Sequence, residues 1–159
     1  MRCSALSSHG PRGAPEPLEA MRGYNRIMGF EEISHTADWS VRVWAEELPS
    51  LFAECARAMN SLSGTVTVRG PRVKRTFESR SPDAESLMVA FLSELVYYQE
   101  QENLAFDKFE LKVEGQKLKA EIEGAQIASL DKAIKAVTYH NLKIEKTKRG
   151  FETTIVFDV

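Results

Sequence analysis

From residue 31 to residue 45 the chain reads EEISHTADWSVRVWA. Alternate positions of this stretch are apolar, which is the period of a half-buried β-strand. Asp38 lies inside the pattern, although aspartate is depleted in strands. An unbroken strand places His35 on the apolar face and Asp38 on the opposite face, whereas a turn at residues 35–37 would change both assignments.

A second strand-like stretch, IVFDV, occupies residues 155–159. It is apolar enough for a strand buried on both faces, yet it carries Asp158, and Val159 adds an α-carboxylate. Oxygen ligands of this kind suit hard divalent cations. We hypothesise that the two stretches meet, so that Asp38, Asp158 and Val159 form one acidic metal site. The alternative is that both aspartates are solvated acids at strand edges.

Composition limits the class of protein. The 159 residues favour one domain, and 43% hydrophobic and 28% charged residues are ordinary for a soluble globular protein. A net charge of -2 argues against a protein that coats nucleic acid. No apolar run is long enough to span a bilayer, and two cysteines make no disulfide framework, which indicates an intracellular protein.

The chain divides into a tail and one domain. Residues 1–28 are rich in Pro, Gly and Ser without apolar periodicity, so we predict a disordered N-terminal tail. Residues 29–159 form the predicted domain. Two helices are expected in it, one from about Pro49 to Ser61 and one from an N-cap at Ser81 to about Gln101.

Three hairpins are predicted around these helices. They pair residues 65–69 with 73–78, residues 106–114 with 116–123, and residues 134–146 with 151–159, while residues 124–133 look irregular. The predicted fold class is therefore α+β: a single domain of mostly antiparallel β-sheet with two main helices packed on it.

Other chemistry has weak support in the residues. There is no zinc-type Cys/His spacing, no phosphate-binding glycine loop and no Gly-x-Ser-x-Gly nucleophile motif. Lys135 and His140 lie on a predicted strand and could handle a proton or a phosphate, although spacing alone is a weak signal. A lone histidine such as His35 is more often a hydrogen-bonded core residue than a ligand.

Four short motifs carry a resemblance to a known family. They are HTAD at residues 35–38, LSEL at 92–95, IKAVTYH at 134–140 and VFDV at 156–159. In this order they resemble the archease family over residues 29–159. The segment 125–133 departs from that family, because it is short and lacks the histidine common there, so no role of that loop carries over.

The resemblance implies a protein cofactor that activates the RNA-splicing ligase RtcB, promotes guanylylation of the ligase and allows multiple turnover in tRNA splicing and RNA repair. The cofactor is not itself an enzyme and meets RNA only through the ligase. The implied metal ligands are Asp38, Asp158 and Val159, with Ca²⁺ expected and Mg²⁺ or Mn²⁺ as alternatives. Lys135, His35 and His140 are the implied partner-facing residues.

Two other functions stay open at this point. The first is a modulator or chaperone of RNA-modifying enzymes such as a tRNA methyltransferase. The second is a metal-dependent hydrolase, for which the residues supply no base or nucleophile. We expect a cytoplasmic protein without a membrane partner, or a nuclear one if its source is eukaryotic, and the oligomeric state is left open.

Overall fold

The computed structural model describes residues 27–33, 38–139 and 141–159. Most of the predicted tail, residues 1–26, lies outside the described residues. Nine strands and two helices are present in the described part, in the order β1 (Gly29–Ile33), β2 (Trp39–Ala45), α1 (Leu48–Ser63), β3 (Val66–Thr67), β4 (Val73–Arg80), α2 (Ala84–Glu102), β5 (Leu104–Glu114), β6 (Lys117–Ser129), β7 (Ala136–Thr138), β8 (Glu145–Thr147) and β9 (Gly150–Asp158).

The first sheet has five strands and contains both ends of the domain. Its order is β1-β2-β9-β7, and β8 also pairs with β9. β7 lies beside the end of β9, and β8 lies beside its beginning. β1 and β2 are antiparallel, with Ile33 opposite Ser40. The prediction of one unbroken strand from residue 31 to 45 is therefore wrong, because β1 and β2 are separate antiparallel strands. The alternative of a turn at residues 35–37 lies outside the described residues.

The second sheet has four strands around β6, with β3 and β4 on one side and β5 on the other. The predicted β5–β6 hairpin is confirmed, and Phe109 lies opposite Ile122. The predicted hairpin of residues 65–69 with 73–78 is wrong, because β3 and β4 both pair with β6. β6 continues to Ser129, so most of the segment expected to be irregular is strand.

Both helices are confirmed within two residues of their predicted ends. α1 ends at Ser63 and is capped by Gly64, whose φ of 64° is left-handed and suits glycine. α2 is capped by Asp83, whose side chain accepts the backbone N–H of Ser86 at 2.7 Å. The N-cap predicted at Ser81 is therefore wrong by two residues, because an aspartate that reaches the first-turn N–H groups follows it.

One hydrophobic core joins the two sheets through the helices. Phe91 of α2 is fully buried, and its ring centroid lies 5.8 Å from that of Phe52, 6.1 Å from Phe77 and 6.2 Å from Phe109. The predicted α+β class with two helices on mostly antiparallel sheet is confirmed. In the described ranges, no helix has the length and apolar content that crossing a membrane requires.

β9 is buried on one face only. Thr153, Ile155 and Phe157 are buried, whereas Thr154 and Val156 are half-buried. The expectation of burial on both faces is wrong, because the helices pack on the face that carries Ile155 and Phe157. The strand predicted over residues 134–146 is interrupted, and only β7 and β8 of it pair with β9.

Candidate functional site

The start of β2, the end of β9 and the start of β7 lie at the same end of the five-stranded sheet. Trp39 of β2 pairs with Phe157 of β9, and Asp38 and Asp158 are the next residues on the two strands. The register therefore brings the backbones of the two aspartates to the same end of the sheet. We call Asp38, Asp158 and Val159 the acidic tip.

The tip carboxylates are accessible. Asp38 and Asp158 are both exposed, while Val159 is half-buried and packs against the core. Within the part of the chain that the structure describes, neither aspartate side chain makes a hydrogen bond or an ion pair. Both aspartate side chains are therefore accessible to solvent.

Lys135 lies beside the tip. Its backbone N–H donates to the carbonyl oxygen of Asp158 at 2.7 Å, which holds the end of β9 against the start of β7. Its side chain is exposed. His35 and His140 lie outside the described residues, so their expected roles stay predictions.

Lys132 contacts Trp39, the first residue of β2, and the sequence patterns did not reveal this. Its ammonium nitrogen lies 5.6 Å from the ring centroid of Trp39, the residue after Asp38. The backbone N–H groups of Asp131 and Lys132 donate to the Ser63 carbonyl oxygen at 2.9 and 3.2 Å. Only its spacing of three residues from Lys135 could have drawn attention to Lys132, because the contact depends on where α1 ends.

A buried hydroxyl lies on the neighbouring strand. The side-chain oxygen of Thr138 is inaccessible and is the one such side-chain atom without a hydrogen-bond partner in the described residues. Thr138 pairs with Val156, two residues before Asp158. An unsatisfied buried hydroxyl costs about 1–3 kcal/mol.

The donor set fits a hard divalent cation. All three candidate ligands bind through oxygen, which Ca²⁺, Mg²⁺ and Mn²⁺ prefer. Structural zinc sites, in contrast, are built mainly from Cys and His. In the described residues, no group of three or more His, Cys, Asp or Glu side chains is arranged for a metal. The tip brings two such side chains, so the third donor would be the α-carboxylate of Val159.

The one cysteine in the described residues is no alternative centre. Cys55 is fully buried in α1, and burial raises the pKa of its thiol well above the usual value. A thiol in such surroundings stays protonated and unreactive at neutral pH.

The similarity to known proteins extends over the whole domain. The model of the Archease protein family matches residues 30–159. A protein archease from Methanosarcina mazei is 35% identical over 141 residues, which are 82% of this chain and 95% of that protein. A protein archease from Pyrococcus abyssi is 34% identical over 129 residues, which are 76% of this chain and 91% of that protein.

Two solved structures share the fold. One is the crystal structure of an archease from Thermotoga maritima, described as a possible chaperone, with a TM-score of 0.61, 23% identity, and coverage of 81% of this chain and 96% of that one. The other is the solution structure of protein 1598 from Methanobacterium thermoautotrophicum, with a TM-score of 0.58, 22% identity, and coverage of 82% and 99%.

Proposed function

Because the chain belongs to the archease family, we propose that it is a protein cofactor that activates the RNA-splicing ligase RtcB. That ligase joins an RNA end bearing a 2′,3′-cyclic phosphate or 3′-phosphate to a 5′-hydroxyl through a guanylylated histidine. The cofactor promotes the guanylylation and lets the ligase turn over many times, in the cytoplasm or, in a eukaryotic cell, the nucleus.

The observation that carries the proposal is the register of β2 with β9. It brings Asp38 and Asp158 to one end of the sheet, where their side chains have no partner among the described residues. Exposed carboxylates at one end of a sheet suit a cation-dependent contact with another protein. RNA is reached only through the ligase, because the net charge of -2 gives no general attraction to phosphates.

The acidic tip would hold a divalent cation, Ca²⁺ in the first place and Mg²⁺ or Mn²⁺ as alternatives. When bound, such a cation supplies positive charge where negative charge develops during guanylyl transfer. Lys135 has two tasks in this proposal: its N–H holds the backbone of Asp158 in place, and its exposed ammonium meets the ligase. His35 and His140 complete the partner-facing set.

The test is a ligation time course at sub-stoichiometric RtcB, with and without this protein. We expect the protein to extend ligation beyond one turnover per ligase molecule and the Asp38→Asn variant to lose that effect while it keeps its melting temperature. Normal stimulation by folded Asp38→Asn would contradict the proposal. RNA phosphate hydrolysis by the purified protein alone would instead indicate a hydrolase.

A second candidate is a modulator or chaperone of an RNA-modifying enzyme such as a tRNA methyltransferase. The observation that favours it is the description of the Thermotoga maritima relative as a possible chaperone. Stable capture of a methyltransferase by this protein, together with no change in the ligation time course, would favour this role over ligase activation.

A further inference from the structure

One side of β5 is an open sheet edge. The strand pairs with β6 on its inner side, and after a β-bulge at Asp107 it is regular from Lys108 to Glu114. Within the described ranges, no strand and no backbone hydrogen bond occupies the outer side of this regular part. A long edge strand exposes a row of unpaired backbone N–H and C=O groups, which another chain can use for pairing.

We propose that the occupant of this edge is β5 of a second copy of the chain. The two β5 strands then run antiparallel about a two-fold axis at Leu111, and the two four-stranded sheets join into one continuous sheet. The inference is independent of the proposed ligase activation, because it concerns a different sheet from the one that carries the acidic tip.

The charge order of β5 favours this partner. The regular part of the strand reads KFELKVE, so lysine and glutamate alternate on its exposed face. In an antiparallel pair centred on Leu111, Lys108 lies opposite Glu114 of the second copy. Glu110 likewise lies opposite Lys112 of the second copy. The two-fold symmetry repeats both pairs, so all four charged residues of each strand face an opposite charge.

Other registers do not pair these charges. The two faces of the joined sheet stay continuous only if exposed residues of one strand lie opposite exposed residues of the other. A register centred on Glu110 or on Lys112 brings like charges together. A register centred on Phe109 or on Val113 pairs only two of the four charged residues. The register at Leu111 is therefore the one that the charges select.

The fold also leaves like charges beside this edge. Glu110 lies directly opposite Glu121 of β6, and the next exposed pair is Lys112 with Lys119. Like charges directly opposite each other destabilise a sheet. Among these four residues, only Lys119 has an ion pair in the described part of the chain, with Glu78 at 3.6 Å. In the proposed dimer the acidic pair of each copy lies beside the basic pair of the other, which compensates both.

The apolar face of β5 is compatible with the same register. Phe109, Leu111 and Val113 are half-buried and pack against the core. In the dimer the two Leu111 side chains lie opposite each other, and Phe109 lies opposite Val113 of the second copy. Such apolar cross-strand pairs are favourable, and they remove further apolar surface from water. The charged face stays in solvent, because the sheets meet edge to edge.

The experiment measures the oligomeric state of the full chain, without ligase, by sedimentation velocity over a wide range of protein concentration. The variants are Glu110→Lys, Lys112→Glu and the double variant that exchanges the two charges. The matched control is Glu121→Lys, which changes the net charge as Glu110→Lys does but lies on β6, away from the edge. Because each single reversal removes a like-charge pair within the chain, we expect every variant to melt at or above the wild-type temperature.

We expect the wild type to dimerise as its concentration rises. The backbone amides of β5 should then exchange hydrogen more slowly, whereas those of β4, the opposite edge, should not change. Each single reversal converts two symmetry-related pairs from opposite to like charge, so the dimer affinity should fall about ten-fold or more. The double variant and Glu121→Lys should dimerise like the wild type.

Four results would overturn the inference. One is a wild type that stays monomeric at every concentration, which would leave the edge to a strand of another protein. The second is a dimer that both single reversals leave intact. The third is a double variant that dimerises as weakly as the single variants, because charge pairing across β5 would then not hold the copies together. The fourth is slower exchange in β4 rather than β5 on dimerisation.

Discussion

Exposed carboxylates occur in two regions of this protein, which differ in whether a lysine pairs with them. On the outer face of the four-stranded sheet, Glu78 lies 3.6 Å from the ammonium groups of both Lys117 and Lys119. At the acidic tip, Asp38 and Asp158 have no such partner in the described ranges. Both regions are accessible and built on strands. The difference is whether the protein supplies the counter-charge itself.

The contrast indicates where an external partner is needed. Exposed ion pairs contribute little stability, about 0–1 kcal/mol each, so the sheet face is a solvated surface whose charges balance locally. Two carboxylates held at one sheet end repel each other unless a cation or a partner protein compensates them. The tip is therefore the region whose substitution should change function more than stability.

The largest effect is expected for Asp158→Asn. The substitution keeps the shape of the side chain and the carbonyl that binds Lys135 but removes the charge, so ligase activation should fall about 100-fold. Stability should change by less than about 0.5 kcal/mol. Ligation kinetics and thermal melting are the two measurements. A large loss of stability with normal activation would show that the Asp158 carboxylate serves the fold rather than the ligase.

Removal of residues 158–159 is a less clean test of the same point. It should abolish activation as well, but it also deletes the Lys135–Asp158 hydrogen bond and the packing of Val159 against the core. A chain that ends at Phe157 and still activates the ligase would contradict the role of the tip.

Two glycines have similar backbone angles but different amounts of space around them. Gly64, which follows α1, and Gly115, in the β5–β6 turn, have similar left-handed φ angles of 64° and 60°. Alanine at Gly115 meets nothing within 4 Å, so it should cost only the backbone strain of about 1–2 kcal/mol.

Alanine at Gly64 should cost more than alanine at Gly115. Its added carbon would lie 2.1 Å from the Asp131 carboxylate, so Asp131 must move, and with it the turn that holds Lys132. Urea unfolding of both variants measures the difference. Equal losses would show that Asp131 swings away freely and that the turn does not depend on Gly64.

Asp83 is a third kind of carboxylate, because the helix itself supplies its partner. Asp83 is exposed, and its partner is a backbone N–H: the hydrogen bond from Ser86 lowers the pKa of the Asp83 carboxyl below its usual value. The stabilisation from this bond is therefore present above the usual carboxyl pKa and is lost as pH falls through the lowered value.

The measurement is urea unfolding of the wild type and Asp83→Asn between pH 7 and pH 2.5. Asparagine caps a helix but does not titrate, so any stability advantage of the wild type should shrink as the carboxyl is protonated. A difference that stays constant over this range would mean that the charge of Asp83 contributes nothing to the cap.

The smallest effect is expected for Glu78→Ala. Because its two ion pairs are exposed, unfolding free energy should change by about 0–1 kcal/mol, and ligase activation should stay at the wild-type level. Denaturant titration and the ligation time course check both expectations. Loss of activation here would show that the sheet face, rather than the tip, meets the partner.

Local patterns predicted much of the fold. The apolar stripe of α1, the acid-rich start of α2 and the alternation on either side of Gly115 are short-range signals, so both helices and the β5–β6 hairpin are confirmed. The predictions failed where a strand had more than one possible partner. β3 lies close to β4 in sequence, yet it pairs with β6, and alternation alone cannot distinguish these pairings.

The sequence alone predicts the α+β class, the two helices, membership of the archease family and the candidate ligands Asp38, Asp158 and Val159. The three-dimensional structure was needed to show that β1 and β2 are separate strands, that Asp38 and Asp158 come to one sheet end, and that Lys132 lies on Trp39. The reason is physical: helices and tight hairpins follow from neighbouring residues, whereas strand register and side-chain contacts between distant segments depend on how the whole core packs.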